Sequence, residues 1–243
     1  MPRFFIQARP ADGRLLICGE DAHHIVRVLR MKAGDEVTLC DCAGTDYDCV
    51  IEEAQTDRVC CRVRSESASA GEPDIEATLY MALPKADKLE LIIQKSVELG
   101  VSRIVPFVSA RCVSRPEGKG LRKKQERWQR IAAEAAKQCG RGRIPEVAGA
   151  APFREAVAQA ARAGTALFFY ECEREASLRS VISGGALSTV SLMVGPEGGF
   201  SLEEVGQAQE GGLKSVSLGR RILRCETAPL AALAAVMYES GNL

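Results

Sequence analysis

The hydrophobic period of this chain changes once, and that change limits the possible folds more than any other feature. Over residues 1–66, short apolar or alternating runs (RFFIQ, GRLLICG, DEVTLCD, YDCVIEEA and RVCCRVR) are punctuated by Gly34, Asp35, Gly44 and Asp46. Period-two alternation marks half-buried strands, and several in so short a stretch predict a small barrel. One segment breaks the pattern: in AHHIVRVLRM, the spacing of Ile25, Val28 and Leu29 predicts a short helix carrying Arg27 and Arg30 outward. The polar run Ser65 to Asp74, with its Gly and Pro, has the composition of a linker. Beyond it, the apolar runs ATLYMAL, RIVPFVS, TALFFYE, VSLMVG and SVSLG alternate with amphipathic segments, the signature of an α/β fold around a mostly parallel sheet.

Helix ends are marked in the second region. KLELIIQKSVELG has Asp87 as N-cap candidate, Glu90 three residues on and Gly100 as its stop. KKQERWQRIAAEAAKQCG sets Trp128, Ile131, Ala132 and Ala135 on one stripe and ends at Gly140, leaving its basic residues facing out or flanking the stripe. FREAVAQAARAG reads as a further helix, as does PLAALAAVMYES, whose Ala and Leu predict burial on most sides or a partner helix.

The composition, 46% apolar and 26% charged over 243 residues, is that of a chain able to bury a core, in one large or two modest domains. The longest uncharged apolar stretch, Thr227 to Tyr238, is too short to cross a bilayer, and the start MPRFFIQARP lacks a signal-peptide core, so a cytoplasmic location is expected by default. The ten cysteines are scattered without a C-x-x-C pair and read as reduced thiols. Two histidines, His23 and His24, are neighbours and point apart, so no metal is expected. Net charge is zero, with 32 basic and 32 acidic residues, but from Val101 to Arg143 twelve basic residues face three acidic ones, Glu117, Glu126 and Glu134. Such a cluster fits a polyanionic partner and equally a solvated helix face. Residues 1–66 are mildly acidic overall, so any nucleic-acid contact there is local.

Two segments could carry chemistry. Val194 to Ser201, VGPEGGFS, is a glycine-rich strand-to-helix loop whose Ser201 and Glu204 have capping-box spacing. It has neither the G-x-G-x-x-G spacing nor a following Lys-Ser or Lys-Thr, which disfavours standard dinucleotide and ATP sites. Ser217 to Leu230, SLGRRILRCETAPL, crowds Arg220, Arg221, Arg224, Glu226 and Thr227 beside an apolar pair, so its charges are solvated, mutually paired or facing a polar ligand. Thr227 is also a candidate cap for the last helix. Both segments, and Tyr170 to Cys172, sit at the carboxyl ends of predicted strands, where ligands gather in open α/β sheets.

ELGV at 98–101, AAKQCGRGRIPEV at 135–147, MVGPEGGFS at 193–201 and LGRRILRCETA at 218–228, with HHIVRVLRMKAGDEV in the first region, resemble the bacterial 16S ribosomal RNA (uracil N3) methyltransferases of the SPOUT superfamily. The resemblance runs in order along nearly the whole chain. It implies a PUA-like RNA-binding barrel over residues 1–72, then an α/β methyltransferase domain over 73–243 with a C-terminal deep trefoil knot, and a homodimer acting on 16S RNA of the 30S subunit. S-adenosylmethionine is the implied cofactor, held by Tyr170, Glu171, Val194, Gly195, Pro196, Glu197, Gly198, Gly199, Leu218, Gly219, Ile222, Leu223, Arg224 and Thr227. In two places the chain departs from the family pattern. Cys225 stands where the family usually has Thr, and Lys137-Gln138 stands where it often has Glu-Gln, which removes an acid at 137.

Methylating uracil N3 requires an in-line approach and loss of a weakly acidic proton. Under the resemblance, Glu226 or Glu197 is the proton acceptor, and Arg224 or Arg141 the cation for charge developing on the uracil oxygens. A sulfonium is already activated, so this chemistry needs no metal. Cys225 as a methyl-accepting nucleophile is disfavoured because N3 alkylation needs no covalent adduct. The expected RNA contacts are Arg3, Arg27, Arg30, Arg111, Lys123, Lys124, Arg141 and Arg143. Two other readings stand beside this one: an RNA-binding assembly factor with a vestigial cofactor pocket, and a cysteine or metal-dependent hydrolase supported only by the cysteine count.

Overall fold

The computed structural model describes residues 1–6, 9–115, 118–185 and 187–243. Gln7, the end of the predicted strand RFFIQ, and Glu117, one acid of the basic cluster, lie outside the described residues. The chain divides into two compact units, one of Met1–Glu72 with Ala136–Ile144, the other of Pro73–Ala135 with Pro145–Leu243.

In the first unit, β1 (Arg3–Phe5), β2 (Arg14–Cys18), β3 (Glu36–Cys40), β4 (Thr45–Gln55) and β5 (Arg58–Ala68) form one half-barrel sheet in the order β1-β3-β4-β5-β2. Period two does the work: Leu15 and Ile17 of β2 point inward while Arg14, Leu16 and Cys18 face out. The inward set joins Phe4, Val37, Leu39, Tyr47, Ile51 and Val59 in one core. Two irregularities in the β4–β5 register, at Asp48/Cys49 and Ile51/Glu53, supply the extra twist that curls the sheet.

Two expectations are corrected in this unit. The segment Ser65 to Asp74 is not a linker throughout, because residues 65–68 extend β5 along Asp48 to Thr45. Its polar alternation is that of an exposed strand, and composition alone cannot show the ladder hydrogen bonds. The AHHIVRVLRM helix is α1 (Glu20–His23) continued by a wider π-type turn at His24–Val28, and it buries Ala22 and Ile25. Val28 and Leu29 are exposed, since the wider turn rotates them off the buried stripe; Arg27 and Arg30 do face out.

The second unit carries β6 (Glu76–Ala82), α2 (Lys88–Glu98), β7 (Arg103–Val108), β8 (Glu146–Val147), β9 (Ala151–Pro152), α4 (Phe153–Ala160), β10 (Thr165–Phe169), α5 (Leu178–Ile182), β11 (Thr189–Val194), α6 (Leu202–Glu210), β12 (Lys214–Val216) and α7 (Thr227–Glu239). α3 (Gly118–Cys139) begins in this unit, and its last turn groups with the first. The strands pair in parallel in the order β12-β10-β11-β6-β7-β8, with β9 also on β7. β10 and β11 are apolar and buried almost end to end, as expected of parallel strands covered on both faces. The short elements β8, β9 and α5 carry too few residues to show a period.

Helix ends follow local chemistry unevenly. Ser201 accepts from the Glu204 N–H at 3.2 Å and Glu204 accepts from the Ser201 N–H at 2.9 Å, closing the capping box of α6. Gly100 ends α2 at φ +92. Asp87, however, makes no side-chain cap, and Glu90 instead pairs with Arg127 at 2.7 Å. Nor does Thr227 cap α7, being the first helical residue after Glu226. α7 buries Pro229, Ala232, Leu233, Val236 and Met237, while Leu230, Ala231, Ala234 and Ala235 are only partly covered and Tyr238 is exposed. Among the described residues no helix is long and apolar enough to cross a membrane.

Candidate active site

The parallel register sets Phe169 at the end of β10 level with Val194 at the end of β11 and with Val216 at the end of β12. The loops leaving these three adjacent strand ends enclose a cavity of about 550 Å³, within the roughly 300–1,000 Å³ of small-molecule sites. Its wall includes Tyr170 and Glu171 after β10, Val194 at the end of β11 with Gly195, Pro196, Glu197, Gly198 and Gly199 after it, and Leu218, Gly219, Ile222, Leu223 and Arg224 after β12. Of the residues expected to hold a cofactor, Thr227 alone is not in this wall.

The glycines are dictated by crowding. Gly199 sits at φ +64, and a Cβ there would run into the Glu171 carboxylate. A Cβ on Gly195 would come within 2.9 Å of the Phe200 ring, and one on Gly198 within 3.3 Å of Arg111. A side chain at any of these three glycines would therefore crowd the wall, and at these positions only backbone meets the cavity. Arg111 donates to the Gly198 carbonyl at 2.8 Å, holding the loop from outside.

The two candidate proton acceptors are tied to a residue that sequence reasoning missed. Lys88, at the start of α2, reaches Glu197 at 3.2 Å and Glu226 at 3.0 Å. Glu197 also accepts from the Lys85 N–H at 3.1 Å, and the Cys225 thiol donates to Glu226 at 3.2 Å. The hydrogen bond from Cys225, with bonds from its own N–H and from Lys88, holds the Glu226 carboxyl down at about 2. Burial works to raise Glu197, but its backbone hydrogen bonds and Lys88 outweigh this and leave it below the usual carboxylate range. The two carboxylates in turn raise Lys88. Burial, then the Glu226 bond, pushes the Cys225 thiol up to about 12, so it is neutral at physiological pH and a poor nucleophile. Lys88 carried no signal beyond being a lysine near a strand end, and its partners lie more than a hundred residues away in the chain.

The remaining expected residues fall in three places. Arg141 is in the first unit, buried and bonded through Nη2 and Nε to Glu72 at 2.8 and 3.2 Å, and it takes no part in the cavity wall. Arg3 forms a two-pronged pair with Asp46 at 2.6 Å for each bond. Arg27, Arg30, Arg143, Lys123 and Lys124 are exposed. Among the described residues no three His, Cys, Asp or Glu side chains gather as a metal site would require.

Residues 71–237 match the family model for an RNA methyltransferase domain, and residues 17–64 that for an RNA methyltransferase PUA domain. The ribosomal RNA small subunit methyltransferase E of Bacillus subtilis is 38% identical over 249 aligned residues, covering 99% of this chain and 97% of its own length. The chain belongs to the ribosomal RNA small subunit methyltransferase E family. The Mycobacterium bovis member is 32% identical, over 96% of this chain and 90% of its own. A solved member of the methyltransferase E family, that of Neisseria gonorrhoeae bound to S-adenosyl methionine, superimposes with a TM-score of 0.86 at 32% identity, covering 98% of this chain and 97% of its own. Every residue of the cavity wall lies within the span of the methyltransferase family model.

Proposed function

We propose that this chain transfers the methyl group of S-adenosylmethionine to uracil N3 in 16S ribosomal RNA of the small subunit. The observation that carries this reading is the glycine-rich loop Gly195–Gly199 walling a ligand-sized cavity, in a chain that aligns end to end with an S-adenosyl methionine-bound relative. Gly195, Gly198, Gly199, Leu218, Gly219, Ile222 and Leu223 would hold the cofactor through backbone groups, with Tyr170 and Glu171 at one side. When bound, the cofactor supplies an electrophilic methyl on sulfur.

The chain's own residues then have to place the base and manage one proton. Arg224, exposed in the wall, is the cation for charge developing on the uracil oxygens. Glu197 is the proton acceptor carried forward, because it faces the cavity, whereas Glu226 lies outside the wall and, at about 2, is the weaker base. Lys88 ties both carboxylates to α2. Arg141, engaged by Glu72, is left with a structural role.

The coarser features support a finer architecture. β11, although later in the chain than β10, lies between β10 and β6, and this crossing is consistent with the C-terminal trefoil knot that the resemblance implies. The partly covered face of α7 offers apolar surface to a second copy in a homodimer. Residues 1–72 would bind RNA through exposed Arg27 and Arg30, and residues 73–243 through α3, with Lys123 and Lys124. The target uridine has to be unpaired, since pairing occupies N3. In the test, purified protein is incubated with 30S particles and S-adenosylmethionine, and modified uridines are mapped by mass spectrometry in RNA from a deletion strain with and without the gene. N3-methyluridine restored by the gene is the expected result. RNA binding without methyl transfer would instead mark an assembly factor.

A further inference from the structure

Four arginines, Arg174, Arg220, Arg221 and Arg224, belong to the cavity wall, and all four are exposed. Among the described residues none of them forms an ion pair. The wall holds two acids, Glu171 and Glu197, and Lys88 already engages the second. Such an excess of cations is costly to cover unless the incoming ligand is anionic. The cofactor cannot supply that charge. It carries a sulfonium and an ammonium against a single carboxylate, so its entry adds positive charge and its carboxylate can engage one arginine.

The geometry of the loop favours a fixed target. Gly219 turns at φ +107, and the Ser217 hydroxyl accepts from its N–H at 3.1 Å and donates to its carbonyl at 3.2 Å. Arg220 and Arg221 therefore follow directly from an anchored turn. Arg174 is pinned through its Nη1 to the Glu171 carbonyl at 2.9 Å and the Glu173 carbonyl at 3.2 Å, and among the described residues no carboxylate compensates its charge. Next to them Ile222 is 85% exposed, an apolar surface beside guanidinium groups that a nucleoside can cover. The planar guanidinium matches phosphate oxygens with paired hydrogen bonds.

We infer that Arg220, Arg221 and Arg174 form a phosphodiester-binding rim that grips the RNA backbone flanking the target uridine. This rests on the proposed RNA substrate and adds the residues that hold the substrate at the cavity mouth.

The test compares wild type, Arg220→Ala/Arg221→Ala and Arg220→Lys/Arg221→Lys, using a fluorescently labelled small-subunit RNA transcript in anisotropy titrations over a range of NaCl concentrations. S-adenosylmethionine affinity is measured on the same proteins by calorimetry. The alanine pair should weaken RNA binding about tenfold, as expected for lost charge-assisted bonds. It should also flatten the plot of log K against log salt by about 1.4, roughly 0.7 for each phosphate contact with single strands. Cofactor affinity should change less than about twofold, and the lysine pair should restore the salt slope. Unchanged RNA affinity and slope in the alanine pair overturn the inference, as does a loss of cofactor affinity with RNA binding intact. Methyl transfer by the wild type is assayed alongside; its absence overturns the enzymatic reading and leaves the binding comparison readable.

Discussion

Two arginines of the first unit, Arg3 and Arg141, and the four of the cavity wall meet their charge in opposite ways. Arg3 and Arg141 have little exposed side chain, and each is matched by a carboxylate, Asp46 and Glu72 respectively. Arg174, Arg220, Arg221 and Arg224 are exposed and unmatched among the described residues. A guanidinium removed from water must have its partner within the fold, so pairing marks a structural charge. An unmatched cation at the rim of a cavity leaves its partner to be supplied by a ligand. Arg141, conspicuous in the sequence motif, is matched by Glu72 within the fold.

The comparison can be broken most sharply at Arg141. Arg141→Met should destabilise the protein by about 3 kcal/mol in urea unfolding, because it takes the cation from the largely buried Glu72 carboxylate and leaves it only the Gly142 and Arg143 N–H groups. A change below about 0.5 kcal/mol would remove the structural assignment. Next comes the loop proposed to hold the cofactor. Gly199→Val puts a branched side chain at φ +64 and against Glu171, and S-adenosylmethionine affinity by calorimetry should fall about 10- to 100-fold. Unchanged affinity would place the cofactor elsewhere.

A smaller effect is expected from the Lys88 cluster. The Glu226 carboxyl lies lower in the folded protein, at about 2, than its ordinary 4.5, so its share of stability is complete above about 4.5 and is lost as pH falls toward 2. Glu226→Gln should flatten the acid limb of a stability-against-pH curve over that window, and an identical acid limb would show that the cluster is loose in solution. The smallest change is expected at Cys225, whose buried thiol stays neutral with its pKa at about 12. Cys225→Thr should leave cofactor affinity within about twofold, and a large loss of methyl transfer with binding intact would restore a chemical role to the thiol.

Much of this was legible in the sequence because it is encoded by neighbours. Alternation set Leu15 and Ile17 inward, continuous apolar runs made β10 and β11 buried parallel strands, and Ser201 with Glu204 spelled out the start of α6. The glycine loop could be read because a turn that excludes side chains has few other compositions. Where sequence reading failed, longer-range forces had the deciding role. Ser65 to Ala68 has a linker's composition, yet it is a strand because β4 pairs with it. Val28 and Leu29 have helical spacing, yet they are exposed because the turn beneath them widens. Glu90 suits a capping box, yet it turns to Arg127.

By itself the sequence determined the longer strands and helices in their order, the three strand-end loops and the family, since each depends on residues close together in the chain. The tertiary structure alone decided which charges are matched: it brought Lys88 to Glu197 and Glu226, gave Arg141 to Glu72 and, among the described residues, left four arginines at the cavity without a carboxylate. The physical reason is that an ion pair acts over a few ångströms of space, whatever the number of residues between its partners, and only the folded chain sets that distance.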